Sequence, residues 1–110
     1  MDASSELRPL PRRVHVRDID GRARNGRIEA EATVVQSDSP NKVGVMQRIE
    51  WDDGRLEVRT GYYIRGKKPG ARGRMVWGQY ALMLPFGDFL ELLKRAIVAG
   101  VLTNVRTTYG

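Results

Sequence analysis

The segment that decides the fold is residues 55–74, with the sequence RLEVRTGYYIRGKKPGARGR. Up to Ile64 its side chains alternate with the period of two that a pleated strand imposes. The two predicted faces, apolar and polar, consist of Leu56, Val58, Thr60, Tyr62 and Ile64, and of Arg55, Glu57, Arg59, Gly61 and Tyr63. After Ile64 the segment becomes a basic loop that contains Gly66, Gly70 and Gly73. The segment therefore predicts a strand that runs into a glycine-rich basic loop.

The same segment holds the entire excess of positive charge. It has seven cations and one acid, Glu57, so that 7 − 1 = +6, and the net charge of the whole chain is also +6. Clustered cations beside an aromatic residue on the polar face, Tyr63, are typical of a surface that binds nucleic acid. The loop glycines would let a sugar–phosphate backbone approach closely. The alternative is that the cations only solvate the strand or protect a sheet edge from pairing with another chain.

The predicted nucleic-acid-binding residues are cations of this region together with two aromatic residues. They are Arg48, Arg55, Arg59, Tyr63, Arg65, Lys67, Lys68, Arg72, Arg74 and Trp77. An unpaired strand needs cations for its phosphates and aromatic faces for its bases, and each stacked base contributes about 1–3 kcal/mol. Tyr63 ranks first among the aromatic residues because it shares a face with Arg59. Tyr62 and Trp51 are assigned to the apolar face, and the sequence leaves open whether Trp77 is a core or a stacking residue.

Outside this segment the chain predicts further strands and one helix. Strands are expected at about 12–18, 27–36 and 43–51, with a turn from Asp18 to Gly26 that contains the hairpin signal Asn25-Gly26, and a break from Ser37 to Asn41. The 43–51 strand places Val43, Val45, Ile49 and Trp51 inward and Arg48 outward, and Asp52-Asp53-Gly54 turns it back, antiparallel, into the central segment. Strand formers continue from Met75 to Leu84, interrupted at Gly78. An apolar stripe from Phe89 to Ile97 predicts a helix at about 86–99, with Gly100 as its stop.

The fold class predicted from these elements is α+β. It is a strongly twisted antiparallel β-sheet of four to six strands, followed by one C-terminal α-helix packed on the sheet. Residues 1–11 are expected to be a disordered lead-in, 12–100 a single nucleic-acid-binding domain, and 101–110 a C-terminal tail.

Composition argues against several classes of protein. The chain has no cysteine and a single histidine, His15, which makes disulfides, thiolate metal sites and a histidine-based triad unsuitable explanations. Asp52-Asp53 is a turn signal before it is a metal pair. No apolar run approaches the length of a membrane span, and the N-terminus has no secretory h-region. We therefore expect a cytoplasmic protein (nucleoid-associated if bacterial or phage, nuclear if eukaryotic) that is no enzyme and has no cofactor, no metal, no small-molecule substrate and no membrane partner.

The central region also carries motifs of a known family. These motifs are Arg59 followed by an aromatic pair, Lys68-Pro69-Gly70 followed by Gly73, a strand ending in Leu82-Met83-Leu84, and a helix that opens with an aromatic residue. Together they resemble the positive cofactor four (transcriptional coactivator) family of single-stranded-DNA-binding domains over about residues 43–99. The resemblance implies a curved four-stranded antiparallel sheet with a C-terminal helix, a homodimer formed through helices and sheet, and DNA held on basic strand faces and loops. It implies that Arg59, Lys67, Lys68 and Arg72 match the basic strand-end and loop positions, and Arg55 the basic residue after the first hairpin turn.

This chain departs from the family pattern in three places. The first hairpin turn, Asp52-Asp53-Gly54, is acidic where the family has aromatic and lysine side chains, and it would repel phosphate. The segment from Arg74 to Tyr80 is longer than expected, and residues 1–42 have no counterpart.

Two functions follow as hypotheses. The first is a homodimeric protein that binds single-stranded nucleic acid, DNA before RNA, with low sequence specificity, in transcription, replication or repair. The alternative is a protein-interaction or assembly module whose basic loop docks on an acidic partner.

Overall fold

The protein is described by a computed structural model that covers residues 3–102. A five-stranded sheet and one α-helix make up most of it, with two short 3-10 helices. The strands are β1 (Arg12–Arg17), β2 (Ala23–Gln36), β3 (Ser39–Trp51), β4 (Leu56–Arg65) and β5 (Met75–Trp77). The helix α1 is Phe86–Val98, and the 3-10 helices are Ala3–Glu6 and Pro69–Ala71. None of the helices within residues 3–102 is both long and apolar enough to cross a membrane.

The sheet is antiparallel throughout and follows the order of the chain, β1-β2-β3-β4-β5. It curls so strongly that Arg12 on β1 reaches across to β4, where its Nη2 lies 3.3 Å from the hydroxyl of Tyr63. The curl defines a concave face, which carries Arg12 and Tyr63, and a helix face, on which α1 packs. The predicted fold class, a twisted antiparallel sheet followed by one helix packed on it, is confirmed.

Helix α1 covers the middle of the helix face because its apolar stripe fits the small residues of β2. Leu92 and Ala96 are completely buried against Ala32 and Val34 of β2 and Met46 of β3. Leu82 and Leu84, from the segment between β5 and α1, pack on the same cluster. The helix ends as predicted, since Gly100 has a φ of +84° and follows the last turn. This cluster is the largest part of the core.

The concave face has two smaller apolar clusters. One joins Val43 and Val45 of β3 to Ala3 of the first 3-10 helix. The other joins Ile28, Ile49 and Trp51. The N-terminal segment, predicted to be a disordered lead-in, therefore contains a 3-10 helix that packs on the sheet. The predicted tail begins with a core residue, Val101, and residues 103–110 of it lie outside the described part of the chain.

Several predicted boundaries are wrong. Asn25-Gly26 lies inside β2, and the turn between β1 and β2 is at residues 18–22, closed by a hydrogen bond from the Asp18 N–H to the Arg22 carbonyl. Gly26 serves close packing, because a Cβ there would lie 2.6 Å from the Glu50 carbonyl oxygen. The break at 37–41 shrinks to residues 37–38, since β3 already begins at Ser39. β5 stops at Trp77 because the chain then crosses the helix face over the ring of Tyr62.

The pairing of β3 with β4 also corrects the predicted faces. The turn Asp52-Asp53-Gly54 brings Trp51 opposite Arg55, with the Trp51 N–H donating to the Arg55 carbonyl at 2.9 Å. This register pairs the inward residues of β3 with the predicted polar face of β4: Val43 with Tyr63, Val45 with Gly61, and Ile49 with Glu57. Tyr62 and Trp51 are both buried, but on opposite faces, and Leu56 and Val58 of the predicted apolar face remain 50% and 49% exposed.

Candidate nucleic-acid interface

An aromatic and arginine cluster occupies the concave face where β4 and β5 pair. Trp77 lies opposite Tyr63 in the sheet, and the two rings meet edge to face with centroids 5.2 Å apart. The guanidinium carbon of Arg59 stands 3.9 Å from the centroid of the Trp77 ring. The ring fits there because residue 61 is glycine: a Cβ at that position would lie 2.3 Å from two ring atoms. Trp77 remains 36% exposed, so part of its indole is accessible to a ligand.

A buried hydrogen-bond network fixes the orientation of this cluster. Gln47 is completely buried, accepts a hydrogen bond from Nε of Arg59 at 2.8 Å and donates to Glu31 at 2.7 Å. Arg12 donates to the same Glu31 carboxylate at 2.5 Å, and both Arg12 and Gln47 donate to the Tyr63 hydroxyl at 3.3 Å. A fully satisfied buried network holds its members in one arrangement. Arg59 and Tyr63 are therefore presented to the concave face in a fixed geometry.

The two arginines of the network differ in their electrostatic surroundings. Burial lowers the pKa of Arg59 below its ordinary value, because its side chain has lost part of its hydration and bonds to a neutral amide. Burial also acts on Arg12, but hydrogen bonds to Glu31 and Tyr63 outweigh it and raise the pKa of that guanidinium. Both groups stay cationic at physiological pH because a guanidinium loses its proton only in strongly alkaline solution. Among residues 3–102, a carboxylate balances Arg12 and none balances Arg59, so the charge of Arg59 is available to an anionic ligand.

A groove lies between the N-terminal segment and the basic loop. It has a volume of about 440 Å³. Its lining includes Leu7, Arg8, Arg12, Tyr63, Arg74 and Met75. Three arginines thus surround one aromatic ring at the end of the concave face that is nearest the basic loop.

The basic loop, residues 66–74, is compact and held by its own backbone. The Gly66 N–H donates to the Arg74 carbonyl at 2.8 Å, and the Gly73 N–H donates back to Gly66 at 3.3 Å. Gly66 is needed because the loop folds onto it, so that a Cβ would lie 2.4 Å from the Ala71 carbonyl oxygen. Lys67, Lys68, Arg72 and Arg74 all project as exposed side chains from this frame. Within residues 3–102 none of these four cations forms an ion pair, and the Arg74 guanidinium donates to the Gly70 carbonyl.

Ion pairs elsewhere concentrate the charge excess in this loop. Among residues 3–102, ten carboxylates lie within 4.0 Å of an arginine nitrogen. Two of these pairs involve predicted site residues: Arg55 with Asp53 at 2.9 Å, and Arg65 with Glu6 at 2.6 Å. The excess of positive charge that the sequence places in residues 55–74 is therefore carried by the loop 66–74 and by Arg59.

The structure brings most of the predicted site residues together, separates two of them from the rest and neutralises a third. Arg59, Tyr63 and Trp77 share the concave face, and Lys67, Lys68, Arg72 and Arg74 lie on the loop beside it. Arg48 lies on the opposite, helix face, where its Nε is 3.5 Å from Glu29, because strand alternation separates it from Gln47. Arg55 lies at the far end of the β3–β4 hairpin, and Arg65 is neutralised by the N-terminal segment.

Sequence reasoning missed the contribution of β1 and the lead-in. Arg12 and Arg8 line the groove, and neither was among the predicted site residues. A signal for Arg12 was present, because it is in phase with the apolar Val14 and Val16 and so shares their inward face. Arg24 was also missed; its guanidinium covers the ring of Trp51 at 4.0 Å. It bonds to Glu57, and this hydrogen bond, followed by one from the Trp51 indole, lowers the pKa of that carboxyl.

The arrangement is suited to recognition of an anionic, partly aromatic ligand. Exposed lysines and arginines supply donors for phosphate oxygens, and Trp77 and Tyr63 supply aromatic surface beside them. Within residues 3–102, no three His, Asp or Glu side chains come together in the manner of a metal site.

Comparison with protein-family models, with curated proteins and with solved structures found no match to this chain. The resemblance to the positive cofactor four family therefore remains a hypothesis that depends on the sequence motifs alone.

Proposed function

We propose that this protein binds single-stranded nucleic acid, DNA before RNA, through the basic loop and the concave face. It does so as a non-enzymatic homodimer inside the cell, with little sequence preference, in transcription, replication or repair. The observation that carries the proposal is the position of four cations that have no carboxylate partner among residues 3–102, Lys67, Lys68, Arg72 and Arg74, beside the aromatic pair Tyr63 and Trp77.

The loop cations and the aromatic residues would contact different parts of a nucleic acid, and this combination favours a single strand over a duplex. Loop cations contact phosphates, which a duplex also exposes, and such contacts carry no sequence information. The exposed part of Trp77 can only stack on a base whose face is open, and bases in a duplex are already stacked. Every base has such a face, so stacking on Trp77 and Tyr63 discriminates weakly among sequences. The geometry therefore supports binding that depends on strandedness more than on sequence.

The test is fluorescence anisotropy of a labelled single-stranded DNA at several salt concentrations, with duplex DNA and RNA as competitors. The variant Lys67→Ala/Lys68→Ala/Arg72→Ala removes three loop cations. We expect weaker binding and a salt slope, d log K/d log[salt], that is smaller in magnitude by about 2, because each phosphate contact on a single strand contributes about 0.7.

A matched control removes the same number of positive charges from arginines that form ion pairs with carboxylates. Arg13→Ala/Arg22→Ala/Arg95→Ala takes away three exposed arginines that each form an ion pair with a carboxylate. Affinity and salt slope should change far less in this control than in the loop variant. Equal losses in the two variants would show that net charge, and not the loop, attracts the DNA. Equal competition by duplex and single strand would contradict the role given to Trp77.

One observation favours the second function, a protein-interaction module. Apolar side chains of α1 are exposed to solvent, Phe86 by 78% and Ile97 by 62%. Large exposed apolar patches mark interaction surfaces. In this alternative the basic loop docks on an acidic surface of a partner protein, and the exposed apolar side chains of α1 contact an apolar surface of the same partner. A complex that survives nuclease treatment and dissociates both in the loop variant and in Phe86→Ser/Ile97→Ser would support it.

A further inference from the structure

Within residues 3–102, one edge of β4 has a strand partner over only its last three residues. β4 pairs with β3 along its length, whereas β5 pairs only with Tyr63, Ile64 and Arg65. Beyond these, the Gly78 N–H donates to the Tyr62 carbonyl at 2.8 Å, and the chain then leaves the sheet. Residues Leu56–Gly61 therefore form a free edge, with no strand beside them on that side within residues 3–102. We call this segment the free edge of β4.

The free edge has few of the features that protect exposed strands. Natural edges are commonly blocked by lysine, proline, a bulge or a covering segment. Residues 56–61 contain neither lysine nor proline, and their pairing with β3 is regular. Instead they present half-exposed apolar side chains, Leu56 and Val58, on the helix face. Such an edge is a template for pairing with another strand.

The sequence of the free edge is complementary to itself when two copies run antiparallel. With a two-fold axis at Val58, Glu57 of each copy lies opposite Arg59 of the other, and Leu56 lies opposite Thr60. Moving the axis to Glu57 or to Arg59 would place like charges face to face, which destabilises a strand pair. Within residues 56–61, only the register centred on Val58 therefore pairs Glu57 with Arg59, and it does so twice, as a two-fold interface requires.

The structure leaves room for these contacts. Arg24 and Trp51 both donate to the Oε1 atom of Glu57, and 47% of the Glu57 side chain is exposed, so the carboxylate can accept a second guanidinium. Arg59 has no carboxylate partner among the described residues. On the helix face the apolar side chains of Leu56 and Val58 from the two copies would form one strip.

Helix α1 also leaves apolar side chains exposed on the helix face of the sheet. Leu90 and Ile97 are exposed on the flank of α1 opposite Arg95, and Arg95 bonds to the Thr33 carbonyl at the outer side of β2. The flank with Leu90 and Ile97 therefore faces the β4 side of the sheet. In such a dimer these two flanks would lie on the sides of the subunits that face each other.

We infer that two copies of this chain associate through the free edges of β4, antiparallel and centred on Val58, to form one continuous ten-stranded sheet. The inference specifies the homodimer of the proposed function. It places the two concave faces side by side, so that Trp77 of both copies lies on the same surface, while each Arg59 pairs with Glu57 of the other copy. A single strand could then cross from one subunit to the other.

A cysteine cross-link tests the register, and it needs no nucleic acid. The chain has no cysteine, so Val58→Cys introduces a single thiol. Directly opposed residues in an antiparallel pair have Cα atoms about 4.5–5.5 Å apart, within the range that a disulfide requires. We expect oxidised Val58→Cys to run as a covalent dimer on a non-reducing gel.

Thr60→Cys is the matched control on the same face. In the proposed register its two thiols would be four residues apart along the strand, about 14 Å, and could not join. Cross-linking of Val58→Cys and not of Thr60→Cys supports the inference. Equal cross-linking of both variants, cross-linking of neither, or a monomeric wild type in sedimentation equilibrium would overturn it. Because no DNA is present, failure here is distinguishable from failure of nucleic-acid binding.

A pair of charge reversals provides the second test. Glu57→Arg and Arg59→Glu each convert two attractive cross-strand pairs into repulsive ones, and each should weaken self-association about tenfold or more. An equimolar mixture restores opposite charges at both positions, so heterodimers should form with an affinity near that of wild type. Recovery in the mixture cannot arise from misfolding of either variant. No recovery, or undiminished self-association of the single variants, would exclude this interface.

Discussion

The Trp77 ring packs directly on Gly61, and this contact makes Gly61→Ala the most informative single substitution. The added methyl carbon would lie 2.3 Å from two atoms of the indole and 3.3 Å from a third. A contact of 2.3 Å is more than 1 Å inside the usual carbon–carbon separation of about 3.5–4.0 Å. β4 is held by its pairing with β3, so the indole has to move and the strand does not. We expect the ring to leave both Arg59 and Tyr63.

The expected loss is the sum of two contacts. A cation–π pair such as Arg59 on Trp77 contributes about 0.5–2 kcal/mol, and an edge-to-face aromatic pair such as Tyr63 with Trp77 about 0.5–1.5 kcal/mol. Gly61→Ala should therefore lower the free energy of unfolding by about 1–3.5 kcal/mol. If Trp77 stacks on a base, the affinity for single-stranded DNA should fall as well, by a factor between about 5 and 150, from the roughly 1–3 kcal/mol of one stacked base.

Urea unfolding followed by tryptophan fluorescence measures the first quantity, and DNA anisotropy the second. Gly87→Ala is the control, because a Cβ there meets no atom within 4 Å and alanine favours a helix; its stability should be equal or greater by up to about 1 kcal/mol. In a Trp77→Ala background Gly61→Ala should cost almost nothing, since the clash is gone. A full cost in that background, or no cost in wild type, would refute the placement of Trp77 over Gly61.

Two further predictions concern the core and the N-terminal segment. Leu92→Ala should destabilise the protein by about 2.7–5 kcal/mol, because Leu92 is completely buried between α1 and the sheet; a loss below 1 kcal/mol in urea unfolding would mean that α1 does not pack there. The hydrogen bond from Arg65 lowers the pKa of Glu6 below its ordinary 4.5, so this contact stabilises the segment above pH 4.5 and is lost as the pH falls through the lower folded-state value. The protection of the amides of residues 3–7 from hydrogen exchange, relative to an unstructured peptide at the same pH, should fall over that acidic range in wild type, and this pH step should disappear in Glu6→Gln; the same step in both proteins would contradict this role of Glu6.

The helix and the central hairpin could be predicted because their signals are local. The stripe from Phe89 to Ile97 and the stop at Gly100 lie within one helix, and the structure has α1 at Phe86–Val98. The strand faces were harder to predict. A three-residue turn at Asp52-Asp53-Gly54 joins odd positions of β3 to odd positions of β4, and this parity predicts the observed register. The prediction from side-chain polarity failed because both strands are amphipathic in opposite phase.

The Asn25-Gly26 prediction failed for a different reason. Asn-Gly is a strong hairpin signal by itself. Here Gly26 is needed because β3 approaches β2 closely at Glu50 and Trp51. The same residue type serves a turn or a close approach, and only the neighbouring strand decides which. Similarly, the position of the Trp77 ring depends on Gly61, which is sixteen positions earlier in the chain.

The amino-acid sequence by itself determined the type and order of the elements and the segment in which the positive charge is concentrated. Periodicity, turn residues and net charge are properties of neighbouring positions, so they can be read without a fold. Only the tertiary structure decided which cations keep their charge available. Arg65 is neutralised by Glu6 from 59 positions away, and Arg12 reaches Tyr63 only because the sheet curls. Ion pairing and burial depend on distances across the fold, and strand alternation alone does not supply those distances.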